Sequence, residues 1–154
     1  MEEQFIKWEP VDGIENEMWV EALHDDYEGF RILLKGSAQS SGILRITFAQ
    51  YYGYRNVDES YRDKLWQKGN FEQRDWSLFN TAASEFIDWV FEESNGLYSK
   101  EEMVHYCIKT GADIIEVVAN QTPPKVEWLT STTRATSSDG TIVRRGKRGT
   151  YLNK

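Results

Sequence analysis

Three sets of side chains in this 154-residue chain have the types and spacing to do chemistry. Glu85, Asp88 and Glu92 stand at i, i+3 and i+7, which on a helix puts three carboxylates on one face. Trp89 falls at the edge between that stripe and the apolar side. An exposed stripe lacks the desolvation that separates carboxyl pKa values, so it makes a poor general acid–base pair. It suits a basic protein partner, steered by the carboxylates and anchored by the ring. The competing explanation is a solvated helix face.

The second set is aromatic. Tyr51, Tyr52, Tyr54 and Arg55 form the densest polar-aromatic cluster, and His105-Tyr106 lies in a later β-like segment. Together they outline a pocket on an aromatic sheet, with Tyr52, Tyr54, His105 and Tyr106 as its expected lining. Core packing competes with that reading, because tyrosine is commonly buried with its hydroxyl paired. The third set is His24, His105 and Cys107, the usual nitrogen and sulfur ligands. His105-x-Cys107 projects to one face of a strand, but the spacing is no zinc signature and His24 would have to arrive from elsewhere. Neighbours on one strand face stand side by side, so the pair makes no nucleophile–base dyad, and no acid is obviously placed to orient the histidine. The chain has no G-x-S-x-G, no phosphate-binding loop and no dinucleotide fingerprint. No catalytic residue, metal site or cofactor is therefore expected.

Charge points toward binding. The net charge is −7, yet residues 125–154 hold seven basic and two acidic residues, +5, which leaves −12 on residues 1–124. The acidic body repels nucleic acid and favours cationic partners. The tail, with Arg144, Arg145, Lys147 and Arg148, is the one segment able to touch phosphates, and it has no stacking platform interleaved with its charges. No apolar run approaches the roughly 20 residues needed to span a bilayer. The N-terminus lacks the pattern of a secretory signal, and one cysteine forbids an internal disulfide. The expected compartment is the cytoplasm.

The elements that must position these residues follow from periodicity. Phe30, Ile32 and Leu34 alternate with Arg31 and Lys35, and Leu44, Ile46, Phe48, Tyr52 and Tyr54 share one parity while Arg45, Thr47, Ala49 and Tyr51 share the other. These runs, joined by a small polar loop between Gly36 and Gly42, predict an antiparallel pair. Met18–Leu23 has no decisive period, and residues 24–29 read as an acidic turn. The strongest helix signal covers residues 82–94, where Ala83, Phe86, Ile87, Val90 and Phe91 share an apolar arc. Asn80 or Thr81 is its expected N-cap, and Asn95-Gly96 its stop. Residues 103–110, 114–118 and 126–129 read as strands, and a hairpin is expected around Asp139-Gly140. The predicted fold class is α+β, an antiparallel sheet packed against one main helix (about residues 82–94). One domain over residues 1–129 would carry a basic tail over residues 130–154. A domain of this size buries roughly 68–70% of its unfolded surface and needs no disulfide or metal to fold.

The order LFN, SEFIDWVFEESNG, VHYCIKTGADIIEVV and PPKVEWL, from Ser77 to Leu129, resembles small bacterial proteins, some of which look like immunity proteins of toxin systems. The resemblance covers about a third of the chain. It implies a cytoplasmic protein that neutralises a partner by binding, and it brings no catalytic residues with it. Three functions follow: a non-catalytic module binding a basic protein, a small enzyme or ligand-binding protein with a pocket on the aromatic sheet, or a structural homo-oligomer. A deep cavity holding His105 beside a carboxylate would favour the second.

Overall fold

The computed structural model describes residues 3–37 and 42–129. In chain order the strands are β1 (Ile6–Lys7), β2 (Met18–Asp26), β3 (Gly29–Gly36), β4 (Ile43–Phe48), β5 (Gly53–Asp58), β6 (Leu78–Thr81), β7 (Met103–Lys109), β8 (Asp113–Asn120) and β9 (Lys125–Leu129). The helices are α1 (Asp63–Lys68) and α2 (Glu85–Glu93), with short 3-10 turns at Glu59–Tyr61 and Lys100–Glu102. The expected tail over residues 130–154, its hairpin, and most of the loop between Gly36 and Gly42 lie outside the described residues.

The described residues form two compact units, one of residues 3–17 and 50–123, the other of 18–37, 42–49 and 124–129. Each holds its own antiparallel sheet, ordered β1-β6-β7-β8-β5 and β2-β3-β4-β9. This corrects the expected α+β class. The described residues are β-rich, in two sheets, and α2 is the only helix longer than two turns among them. The physical reason lies in two segments. The alternating run Leu44–Tyr54 breaks after Phe48, so its halves join different sheets. The undecided Met18–Leu23 run is extended and continues through His24 and Asp25 to Asp26, which shrinks the expected acidic turn to Tyr27-Glu28 between paired Asp26 and Gly29.

In the β2–β3–β4–β9 unit, Phe30, Ile32 and Leu34 of β3 stand opposite Phe48, Ile46 and Leu44 of β4, and all six are buried. That is the antiparallel pair which the alternation predicts. β9 adds to β4, and Glu127 receives both Nε and Nη2 of its cross-strand partner Arg45 at 3.2 and 2.9 Å.

In the other unit the register sets two rows across one sheet face. Phe79, Cys107, Glu116 and Arg55 form the first; Thr81, His105, Val118 and Gly53 form the second. α2 covers part of this face: Phe86, Ile87 and Val90 pack with Met103 and Val118 into one buried cluster. Burying such side chains contributes about 1.5–3 kcal/mol each. The helix begins later than expected. Asn80 and Thr81 belong to β6, and Ser84 is the N-cap, its Oγ accepting the Ile87 N–H at 3.1 Å. The predicted stop holds: Asn95 and Gly96 take φ of 59° and 72°, and Gly96 donates its N–H to Phe91 O.

α1 is fixed from outside its own six residues. Lys109 Nζ lies 4.2 Å from the Trp66 ring centroid and donates to Arg74 O, while Arg74 reaches back to the carbonyls of Trp66 and Gly69. Gly69 closes the helix with its N–H on Leu65 O at 2.8 Å. A Cβ there would stand 2.5 Å from both Leu65 O and the Phe71 ring. Gly69→Ala is therefore expected to destabilise the protein by about 1–3 kcal/mol, read as a lower midpoint in urea with unchanged slope.

Candidate functional site

A cavity of about 640 Å3 opens beside this face, lined by residues of β5, α1, β7, β8, the head of α2 and the segments around Phe5 and Asn70. At its inner wall is Glu116, fully buried in β8. An isolated carboxylate could not stay charged there, since desolvation costs several kcal/mol per ion. Three cationic or donor groups answer it. Arg55, its cross-strand partner, approaches through Nε at 3.0 Å and Nη2 at 3.1 Å. Arg62 Nη2 stands 2.9 Å from Oε2, and His105 Nε2 stands 3.0 Å from Oε1. Burial pushes the Glu116 carboxyl up, but His105 and Arg55 outweigh it and hold the group at about 2, against an ordinary 4.5.

His105 is almost fully buried and is gripped from several sides. Phe5 and Phe86 meet it edge-on, with ring centroids 5.4 and 5.5 Å away. Its Nδ1 lies 2.7 Å from Ser84 Oγ. With the carboxylate next to Nε2, the favoured tautomer carries its proton on Nε2 and accepts the Ser84 hydroxyl at Nδ1. Ser84 thereby donates to His105 while capping α2. The order serine, histidine, acid is that of a nucleophilic triad. Ser84 is buried, however, and is not among the residues lining the cavity, so its chemistry here is to orient the imidazole. Although Nε2 is near Glu116 Oε1, its N–H is not aligned as a hydrogen bond. His105 Nε2 and Arg62 Nε are the two buried side-chain polar atoms without a hydrogen-bond partner among the described residues. Both residues line the cavity.

The remaining lining groups are charged. Arg55 also binds Glu85 at 2.7 Å and lies over the Phe86 ring, 4.2 Å from its centroid. Glu3 accepts the backbone N–H of Glu85 at 2.7 Å. Lys64 and Lys68 are exposed on α1. Four basic residues (Arg55, Arg62, Lys64, Lys68) against three acidic ones (Glu3, Glu85, Glu116) leave +1 when His105 is counted neutral.

Of the residues expected to form a pocket, His105 alone lines this cavity. Tyr106 and Tyr54 sit in the row Asn80–Tyr106–Val117–Tyr54 on the opposite sheet face, where Trp8 packs on Tyr106 at 4.9 Å. Tyr52 precedes β5 and packs against Tyr98 and the α2 cluster. The register separates these rings because neighbouring residues on a strand point to opposite faces.

The carboxylate stripe is on α2 as the helical spacing requires. Glu85 is bound by Arg55 and Asp88 by Lys100 at 2.8 Å. Glu92 has no ion pair among the described residues, and Trp89 is 54% exposed. Cys107 is buried, and burial pushes its thiol far up, which makes it inert. His24 lies on β2 of the other unit, and no three His, Cys, Asp or Glu side chains gather as a metal site among the described residues.

Neither motif spacing nor periodicity marks Glu116 as the acid beside His105, or Ser84 and Arg62 as its neighbours. A signal existed for Glu116: it is the one charged residue inside the apolar run Ile114–Val118, and a buried carboxylate demands partners. No helix of the described residues is long and apolar enough to cross a membrane. Compared with known proteins, the chain matches no family model, no curated protein and no solved structure.

Proposed function

We propose that the chain is a non-catalytic, cytoplasmic ligand-binding protein whose site is the cavity at His105 and Glu116. One observation carries this reading: an open cavity of about 640 Å3 with a buried histidine held beside a buried carboxylate. Small-molecule sites are typically 300–1,000 Å3 and combine such volume with a few fixed polar groups. Here Ser84, Phe5 and Phe86 fix the imidazole, and two arginines fix the carboxylate. A nucleophile in the cavity would argue for an enzyme, and Ser84 and Cys107 are both buried away from it. The test is a fragment screen followed by amide chemical shifts. Hits should move the signals of Arg62, Lys64, Asn70 and His105, and Asn70→Trp, on the exposed rim, should abolish them. Hits that ignore Asn70→Trp, or the lack of any hit, would refute the reading.

A second reading, an immunity-like module for a basic partner, is favoured by the half-exposed Trp89 beside Glu92. Exposed indole flanked by acid fits the anchor-and-steer pattern of protein interfaces. Own-chain cations already answer Glu85 and Asp88, which leaves Trp89 and Glu92 as the free part of the stripe. Partner capture with wild-type and Trp89→Ala, Glu92→Lys bait tests it. Loss of about 2 kcal/mol or more of binding, roughly thirtyfold, is expected for the double variant. Equal capture by both baits would exclude the surface.

A further inference from the structure

We propose that this cavity takes a small anion through a phosphate or carboxylate group, and that the Glu3 carboxylate holds part of that group's place in the free protein. The inference rests on reading the cavity as a ligand site. It starts from the two orphan donors. Arg62 Nε and His105 Nε2 are buried N–H groups without an aligned hydrogen-bond acceptor, although His105 Nε2 keeps its charge contact with Glu116 Oε1 at 3.0 Å, and a buried donor left unaligned favours any ligand that can supply an acceptor. Both residues border one cavity, so a ligand that brings acceptor oxygens would satisfy what the chain does not. Arg62 already spends Nη2 on Glu116, which leaves Nε as the unused half of its fork.

Charge agrees with this chemistry. Arg55 and Arg62 are answered by Glu85 and Glu116, whereas Lys64 and Lys68 have no ion pair among the described residues. An incoming anion meets two unspent ammonium groups at the cavity wall. A carboxylate already borders the same cavity. Glu3 reaches across to the first N–H of α2, 82 residues away in sequence, at 2.7 Å. Withdrawing it would raise the lining charge from +1 to +2 and free that N–H. The cavity wall thus already holds one carboxylate on a backbone N–H that an anion from outside could take.

The experiment uses the full chain at low salt and measures binding of inorganic phosphate, ribose 5-phosphate, citrate and uncharged ribose by calorimetry and amide shifts. The phosphate compounds, citrate or both should bind at the cavity, with ribose inert. Phosphates alone would assign a phosphate site, citrate alone a carboxylate site, and both a general anion site. Glu3→Gln should tighten binding several-fold by removing the competitor. Lys64→Ala with Lys68→Ala should weaken it by about tenfold or more. These three residues stand at the surface end of the site, and a thermal melt confirms that each variant is folded. Unchanged affinity in either variant, or no anion bound, would overturn the inference. Neutral compounds seated in the cavity while every anion fails would overturn the anion chemistry and leave the cavity reading intact. No compound of any charge would sink both.

Discussion

Glu116→Ala is expected to lower stability by about 3–5 kcal/mol. The carboxylate is the common partner of Arg55, Arg62 and His105. Removing it leaves two guanidinium groups facing each other in a partly buried wall, and that repulsion adds to the lost attraction. Against a typical total of 5–15 kcal/mol, the variant would sit near the edge of folding. Urea unfolding at pH 7 measures it directly; a loss below 1 kcal/mol would mean that water already screens the arginines. Glu116→Gln isolates the charge, since its shape is kept while the ionic part is removed.

The same group fixes a pH dependence. The carboxyl is held at about 2 in the folded chain against an ordinary 4.5, so the folded state binds its proton less readily than the unfolded one. Its contribution is complete above pH 4.5 and is lost as pH falls toward 2, a total on the order of 3 kcal/mol. The stability gap between wild type and Glu116→Gln should therefore narrow across that window. A gap that stays constant from pH 6 to pH 2 would contradict the assignment.

Local pattern carried much of the fold, and long-range pairing carried the site. Phe30, Ile32 and Leu34 against Leu44, Ile46 and Phe48 were legible because period-two alternation is written in consecutive residues. The position of α2 was legible for the corresponding reason at period 3.6. The division into two sheets was not: the shared parity of Phe48, Tyr52 and Tyr54 runs across the break, and Gly53, which opens β5, is its one glycine. Parity also misled. Tyr52 and Tyr54 share it, but Tyr52 lies outside β5 and no longer obeys the strand's alternation. The row Phe79–Cys107–Glu116–Arg55 joins residues up to 61 positions apart between Arg55 and Glu116, and such registers depend on the whole sheet. What the sequence did offer was a physical oddity, one acid inside an apolar strand, and its consequence was the centre of the site.

Ser84 offers the second large effect, and it can be divided into parts. Its hydroxyl oxygen accepts the Ile87 N–H, the N-cap bond of α2, while its proton serves His105 Nδ1 at 2.7 Å. Ser84→Ala removes both. Losing the cap costs about 0.5–2 kcal/mol. Leaving Nδ1 of a buried imidazole without a partner costs a further 1–3 kcal/mol or so. A combined loss of about 2–4 kcal/mol is expected, with a matching drop in the urea midpoint. Ser84→Gly separates the two, because glycine at an N-cap costs only a few tenths of a kcal/mol while still orphaning His105. If the hydroxyl acts mainly as a cap, glycine should restore most of the stability that alanine loses. If it acts mainly to seat the imidazole, glycine should remain nearly as damaging as alanine, and the His105 ring signals should broaden in both variants. The geometry favours the second outcome. The imidazole is almost fully buried with Phe5 and Phe86 edge-on against it, and its other nitrogen already lacks an aligned partner.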